Sequence, residues 1–292
     1  MDSHVNRFAA YMVQQARGAW STIWLTVRLY MDDQGLSWAG AIGLYLFLSI
    51  PPFMVATAYV AALFVPPDQA ESFVIEQVAK YLPSEQALLE GIVEARPTDA
   101  LGGAISVALL LFSGSRAFAA LTSAINVMWR QVDQLTFVRR QVLRSGMLLV
   151  TLLLLTLAAL GEAAIVALTD AGTSSQELWL LDWQLIPAFL LGAFLLVAYK
   201  FLPREPVPWV HAALGAIVAG VGIRLAQAGL GQLSDAGIFR TPYGALADVA
   251  LMATWALVAG IIVLFGAALV AVLDGIRPID GDADERFSRS SD

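Results

Sequence analysis

Four ionisable residues stand in stretches that are otherwise apolar: Arg116, Glu162, Arg224 and Asp248. A charge placed inside a bilayer costs about 2.5–3.5 kcal/mol on insertion scales, so such groups normally face the protein interior or a water-filled cavity. Arg116 belongs to Ser113-Gly114-Ser115-Arg116, where small side chains let a helix or a ligand approach the backbone and Ser113 and Ser115 add hydroxyls. A guanidinium in that setting can grip a phosphate or carboxylate of an amphipathic substrate through paired hydrogen bonds. It can equally cap carbonyls released by a bend at Pro51-Pro52, or serve a single buried carboxylate. Glu162 and Arg224 each lie about 15 residues, roughly 22 Å, into spans of the same direction, and Asp248 about five residues into a span of the opposite one. All three are expected in the outer half of the membrane. The first expectation is that Arg224 and Asp248 pair, each lowering the cost of the other's charge. That pair either locks two helices or, with Glu162, lines a polar cavity open to the outer side, and both readings stand.

Catalysis has less to work with. The chain has no Cys and two His, His4 and His211, neither with an acidic cluster beside it in sequence. That removes a disulfide framework, a Cys/His zinc site and a thiol nucleophile. A metal-dependent nuclease needs several carboxylates or histidines converging on cations. The net charge of −7 also argues against a nucleic-acid partner. No GxxxxGK[ST] loop is present to couple the chain to nucleotide hydrolysis. The expectation is therefore a protein without catalytic residues, cofactor or metal.

The elements that must position these residues are membrane helices. Of 292 residues, 58% are apolar and 14% charged, against about 45–50% and 25% in a soluble domain. A span takes roughly 20 mostly apolar residues because the bilayer core offers backbone groups no water. Six segments qualify, at about 36–65, 101–128, 147–168, 182–202, 209–229 and 243–273, which predicts an all-α, polytopic helix bundle over residues 35–275. The first and last are longer than a hydrocarbon core of about 30 Å and must tilt, kink or protrude, and Pro51-Pro52 gives the first a reason to kink. Small residues four apart, at Ala39/Gly43, Ala216/Gly220, Ala256/Gly260 and Ala267/Ala271, permit close helix contact and leave a homo-oligomer possible without naming one.

Basic residues set the orientation. Arg7, Arg17, Arg28, Arg130, Arg139, Arg140, Arg144, Lys200, Arg204, Arg277, Arg286 and Arg289 fall on one side, against Lys80, Arg96 and Arg240 on the other. Both termini are thus expected in the cytoplasm. Residues 1–34 lack a continuous apolar run, so a cleavable signal is not expected and the first span acts as an anchor. Within them Phe8, Tyr11, Trp20, Trp24, Val27 and Tyr30 recur at helical steps beside arginines. That stripe fits an amphipathic helix in the headgroup region, or one packed on the protein's own spans. The outer connection 66–100 reads as one or two short amphipathic helices broken at Pro83, and residues 276–292 as a disordered tail. Trp179, Trp183 and Trp209 read as interfacial residues, and Arg139, Arg140, Arg144, Lys200 and Arg204 as contacts to anionic headgroups.

Four blocks carry a resemblance. The run Leu36-Ser37-Trp38-Ala39-Gly40-Ala41-Ile42-Gly43 through Leu48-Ser49-Ile50-Pro51-Pro52 resembles the first-span signature of the YihY/BrkB membrane-protein family. Ser113-Gly114-Ser115-Arg116 leading to Ala124-Ile125-Asn126 is similar to its second span, and Tyr199-Lys200-Phe201-Leu202-Pro203 to its "YRFLP" block. Tyr243-Gly244-Ala245-Leu246-Ala247 through Trp255 to Gly266-Ala267 is similar to its last span. The resemblance covers about residues 30–275 in order. It implies a six-span bacterial inner-membrane protein, from a family once labelled ribonuclease BN, elsewhere called virulence factors, and proposed to export lipid-like molecules. The family's acidic residue after the final Gly-Ala is Ala268 here, so a mechanism resting on that carboxylate does not carry over. The function expected is transport or flipping of a lipid-like or anionic amphipathic substrate, with membrane lipids as partners. The competing expectation is a non-catalytic scaffold or envelope-maintenance protein.

Overall fold

A computed structural model describes residues 20–61, 118–130 and 185–277, with isolated positions at 72, 75, 91, 105, 116 and 146. Among these residues the chain is all-helical, without a strand. Helix α1 spans 20–32, α2 Gly35–Ala61, α3 Phe118–Met128, α4 Leu185–Phe201, α5 Trp209–Asp235, α6 Arg240–Tyr243 and α7 Ala247–Leu273. Three of them, α2 (over Gly35–Val55), α5 and α7, are long and apolar enough to cross a membrane. The span expected at 147–168, Trp179, Trp183, residues 1–19 and the tail beyond Arg277 lie outside the described residues. Of the outer connection only Ser72, Ile75 and Gly91 are described, each in helical conformation.

Helix ends follow local chemistry. The link after α4 bends over residues 202–205, and Pro208, extended at φ −60° and ψ 141°, leads straight into α5 at Trp209. At the far end of α5, Gly237 (φ 70°) donates to Ser234 O and Ile238 N–H to Leu233 O. At the end of α7, Gly275 (φ 103°) donates to Val272 O and Ile276 N–H to Ala271 O. Both are Schellman closures, which need a left-handed residue and satisfy carbonyls that helix ends leave bare.

One boundary shifts. The last span does not begin at 243, because Gly244 (φ 53°, ψ −122°) separates α6 from α7 and a 3-10 turn over Gly244–Leu246 precedes Ala247. Pro51 and Pro52 both lie inside α2, which continues as helix through them to Ala61. They withdraw the donors that would reach the carbonyls of Phe47 and Leu48, while the Ser49 hydroxyl donates to Leu46 O at 2.7 Å. Flanking turns carry the helix through.

Packing centres on α7. A Cβ built on Gly260 would lie 2.6 Å from Ala39 O, and one on Gly43 would lie 2.8 Å from Leu257 Cα, so α2 and α7 touch backbone to backbone and run antiparallel. These are the pairs Ala39/Gly43 and Ala256/Gly260, each supplying the groove the other fills. On another side, Gly215 of α5 meets Val270 and Gly266, and Gly222 meets Ile262, again antiparallel. Tyr199 of α4, fully buried, donates its hydroxyl to Val263 O at 2.6 Å. Helix α3 runs parallel to α4, with Phe118 beside Phe194 and Asn126 beside Leu202. Together these directions gather the starts of α2 and α5 and the ends of α1, α3, α4 and α7 at one end of the bundle.

Candidate functional site

That end carries a polar junction built by the last turn of α3. Asn126, buried, donates through Nδ2 to Thr122 O at 2.8 Å within its own helix and to Leu202 O at 3.1 Å beyond α4. Trp129 Nε1 donates to Asp274 Oδ2 at 3.4 Å, at the close of α7. Arg130 Nε meets Asp33 Oδ2 at 3.4 Å, in the turn between α1 and α2. His211 of α5 places Nδ1 3.7 Å from the other oxygen of Asp274. Three side chains at the end of α3, Asn126, Trp129 and Arg130, thus reach the end of α4, the close of α7 and the turn between α1 and α2. The ends themselves are strained: Arg130 (φ 55°) and Gln34 (φ 56°) are left-handed without being glycine, a conformation that costs a residue with a Cβ roughly 1–2 kcal/mol.

The electrostatics of the junction are those of charges partly withdrawn from water. Burial pushes the Asp33 carboxyl above its ordinary value, the nearby Arg130 guanidinium pulls it back, and Asp32 adds to the rise. Folded Asp33 therefore holds its proton more tightly than the unfolded chain, so its contribution to stability is fully present below 3.8 and lost as pH rises through the folded value. Lowering pH from about 7 towards about 4 should raise the melting temperature of the wild type relative to Asp33→Asn in detergent. A relative fall on acidification would show that the Arg130 pair outweighs desolvation. Asn126 Oδ1, Arg130 Nη2 and His211 Nδ1 are buried and make no hydrogen bond. Among the described residues no group of three or more His, Cys, Asp and Glu is placed to hold a metal ion.

The residues singled out in the sequence lie elsewhere. Arg224, half-buried on α5, donates through Nη1 to Gln227 Oε1 at 3.5 Å. Asp248 is half-buried in the first turn of α7, where a carboxylate meets the positive end of the helix dipole. No ion pair joins the two among the described residues. Arg116 is helical and exposed. Ser113, Ser115 and Glu162 lie outside the described residues, and with them the proposed three-residue cluster. What the sequence reading missed is the junction. Nothing acidic stands near His211 in the chain, yet Asp274, the first polar residue after the longest apolar run, comes to it in space.

Comparison with known proteins agrees with this membrane architecture. The profile of the family described as virulence factor BrkB matches residues 26–288. Relatives carry the name UPF0761 membrane protein. One from Albidiferax ferrireducens is 29% identical over 184 residues, which cover 60% of this chain and 42% of the relative. Another from Vibrio cholerae is 28% identical over 200 residues, covering 64% and 62%. A third from Tolumonas auensis is 34% identical over 91 residues, covering 31% and 30%. The chain thus spans less than two thirds of the length of each of these relatives. No solved structure matches. With a family profile running through nearly the whole bundle, this chain belongs to the BrkB virulence-factor family of membrane proteins.

Proposed function

We propose that this chain is a six-span inner-membrane protein that moves an anionic, lipid-like amphipath between the leaflets or out of the cell, without catalysing a covalent step. The observation that carries the reading is Arg224, a guanidinium held half-buried with Gln227 about 22 Å along a helix of membrane length. A cation at that depth has a desolvation penalty that an anionic headgroup can offset by paired hydrogen bonds. The end that bears the junction also carries Arg28, Arg130, Lys200, Arg204 and Arg277, against Arg240 at the other among the described residues, which supports placing both termini in the cytoplasm. Membrane lipids are then both solvent and substrate class, and no nucleic acid is involved.

A second reading, a rigid envelope scaffold, is favoured by the α2–α7 and α5–α7 seams, where glycines bring backbones into contact. Reconstitution separates the two. Purified protein in vesicles containing a trace of NBD-labelled phosphatidylglycerol should speed exchange of the label between leaflets over protein-free vesicles, read by dithionite bleaching. Arg224→Gln should slow that exchange several-fold, and Arg224→Lys should keep part of it. Exchange no faster than in protein-free vesicles, for well-folded wild type tested also with a soluble anion, would leave the scaffold reading standing.

A further inference from the structure

Helix α1 has two faces that do not match. Thr26, Leu29 and Tyr30 are buried against the bundle, Leu29 completely, and the Tyr30 ring sits 6.3 Å from that of Phe265 on α7. Another face is apolar and open: Trp20 (71% exposed), Trp24 (58%), Val27 and Met31 (64%) follow one another at steps of three and four, with Ile23 beside them. Five large apolar side chains on one 13-residue helix, 20–32, are far more than a water-facing surface normally keeps together. We infer that this face is seated in the lipid surface at the basic end of the bundle, with the two tryptophans at the boundary between headgroups and acyl chains.

Three observations choose the lipid surface as the occupant. First, exposed large apolar positions recur beyond the turn after α1, at Leu36, Leu44 and Leu48 of α2, a helix long and apolar enough to cross a membrane. Second, the composition is that of an interface, with tryptophan beside arginine. Arg28 is exposed on the same helix, and in the last turn of α4 Lys200 lies 5.1 Å from the centre of the exposed Trp209 ring, which meets Phe201 edge to face. Amphipathic rings and cations at the same level match the chemistry of anionic headgroups. Third, α1 is held in place by the Arg130–Asp33 contact and the Leu29 and Tyr30 anchors, so its outer face is presented by a fixed scaffold. Lipid contact then adds to the apolar area removed from water without any rearrangement.

The absence of cysteine in the chain makes the test direct. Single-cysteine variants Trp24→Cys, Val27→Cys and, as the exposed polar control on the same helix, Asp32→Cys carry a nitroxide label in vesicles of phosphatidylethanolamine and phosphatidylglycerol. Collision rates with oxygen, which concentrates in lipid, and with a water-soluble nickel chelate are then compared. The inference expects an oxygen-to-nickel ratio several-fold higher at 24 and 27 than at 32. Equal ratios at the three sites would overturn it, as would low collision with both reagents at 24 and 27, which would mean protein covers the face. Spin–spin broadening at 24 that disappears on dilution with unlabelled protein would assign the face to a second copy and overturn it too.

Discussion

Gly260→Ala should destabilise the protein by about 1–3 kcal/mol, the range for forcing an extra methyl group into a packed contact. The reason is the identity of the atom in the way. A Cβ on Gly260 would stand 2.6 Å from Ala39 O, with Ala39 C and Gly43 N both at 3.4 Å, and all of these are backbone. A side chain could rotate aside, but a helix backbone can yield only by separating α2 from α7 along their length. Gly43→Ala meets the same obstacle from the other helix, with Leu257 Cα at 2.8 Å and Ala256 O at 3.0 Å. Since either substitution already parts the two helices, the double variant should lose less than the sum of the singles. Gly40→Ala is the control, because a Cβ there meets nothing within 4 Å, and it should be neutral or slightly stabilising through helix propensity. Thermal unfolding in detergent reads all four. Equal melting temperatures for Gly40→Ala and Gly260→Ala would show that the seam is looser than its distances imply.

That seam marks how far a sequence can be read. The four-residue spacing in Ala39/Gly43 and Ala256/Gly260 was visible, but so was Ala216/Gly220, and a Cβ on Gly220 meets nothing. Spacing finds grooves; it does not say which are filled. Hydropathy likewise placed the start of α2, the start of α5 behind Pro208 and the close of α7, because apolar runs and prolines are local signals. It leaves the start of α7 within a few residues of 243, because Tyr243-Gly244-Ala245-Leu246 is apolar enough to prolong the run and only the backbone turn at Gly244 divides it. Depth was legible and rotation was not. At 1.5 Å per residue Arg224 and Asp248 can be set at similar heights, yet the direction in which each side chain leaves its helix decides whether they meet, and one contact of Arg224 is to Gln227 on its own helix.

The junction was beyond reach for a different reason. Its contacts join residues 76, 97 and 145 positions apart, each through a single side chain with no motif around it. Asn126 stands between the apolar Ile125 and Val127, with nothing in the sequence to show that its amide is the working part. Such residues are recognised only when the groups they satisfy are known. The carbonyl of Leu202 follows the last turn of α4 and belongs to the set that a helix end leaves without an internal donor.

Asn126→Asp tests that assignment, and among single-atom changes it should have the largest effect on this end of the bundle. The side chain keeps its size and shape, but the donor that faces Thr122 O at 2.8 Å and Leu202 O at 3.1 Å becomes an oxygen. An ionised carboxylate would point an acceptor at two carbonyls inside a site that is 7% exposed, and burying an unpaired charge is far more costly than losing a neutral hydrogen bond. The group should respond by staying protonated, which restores one donor where the amide supplied two. The expected loss is therefore about 3 kcal/mol or more near neutral pH, shrinking as the pH falls far enough to protonate the carboxyl in the unfolded chain as well. Asn126→Ala, which removes the amide without adding a charge, should lose less and show no such pH dependence. Thermal melts of both variants between about pH 4 and 8 distinguish them. If Asn126→Asp and Asn126→Ala melt together across that range, the amide is not what holds α3 to the end of α4, and the junction must rest on Trp129 and Arg130 instead.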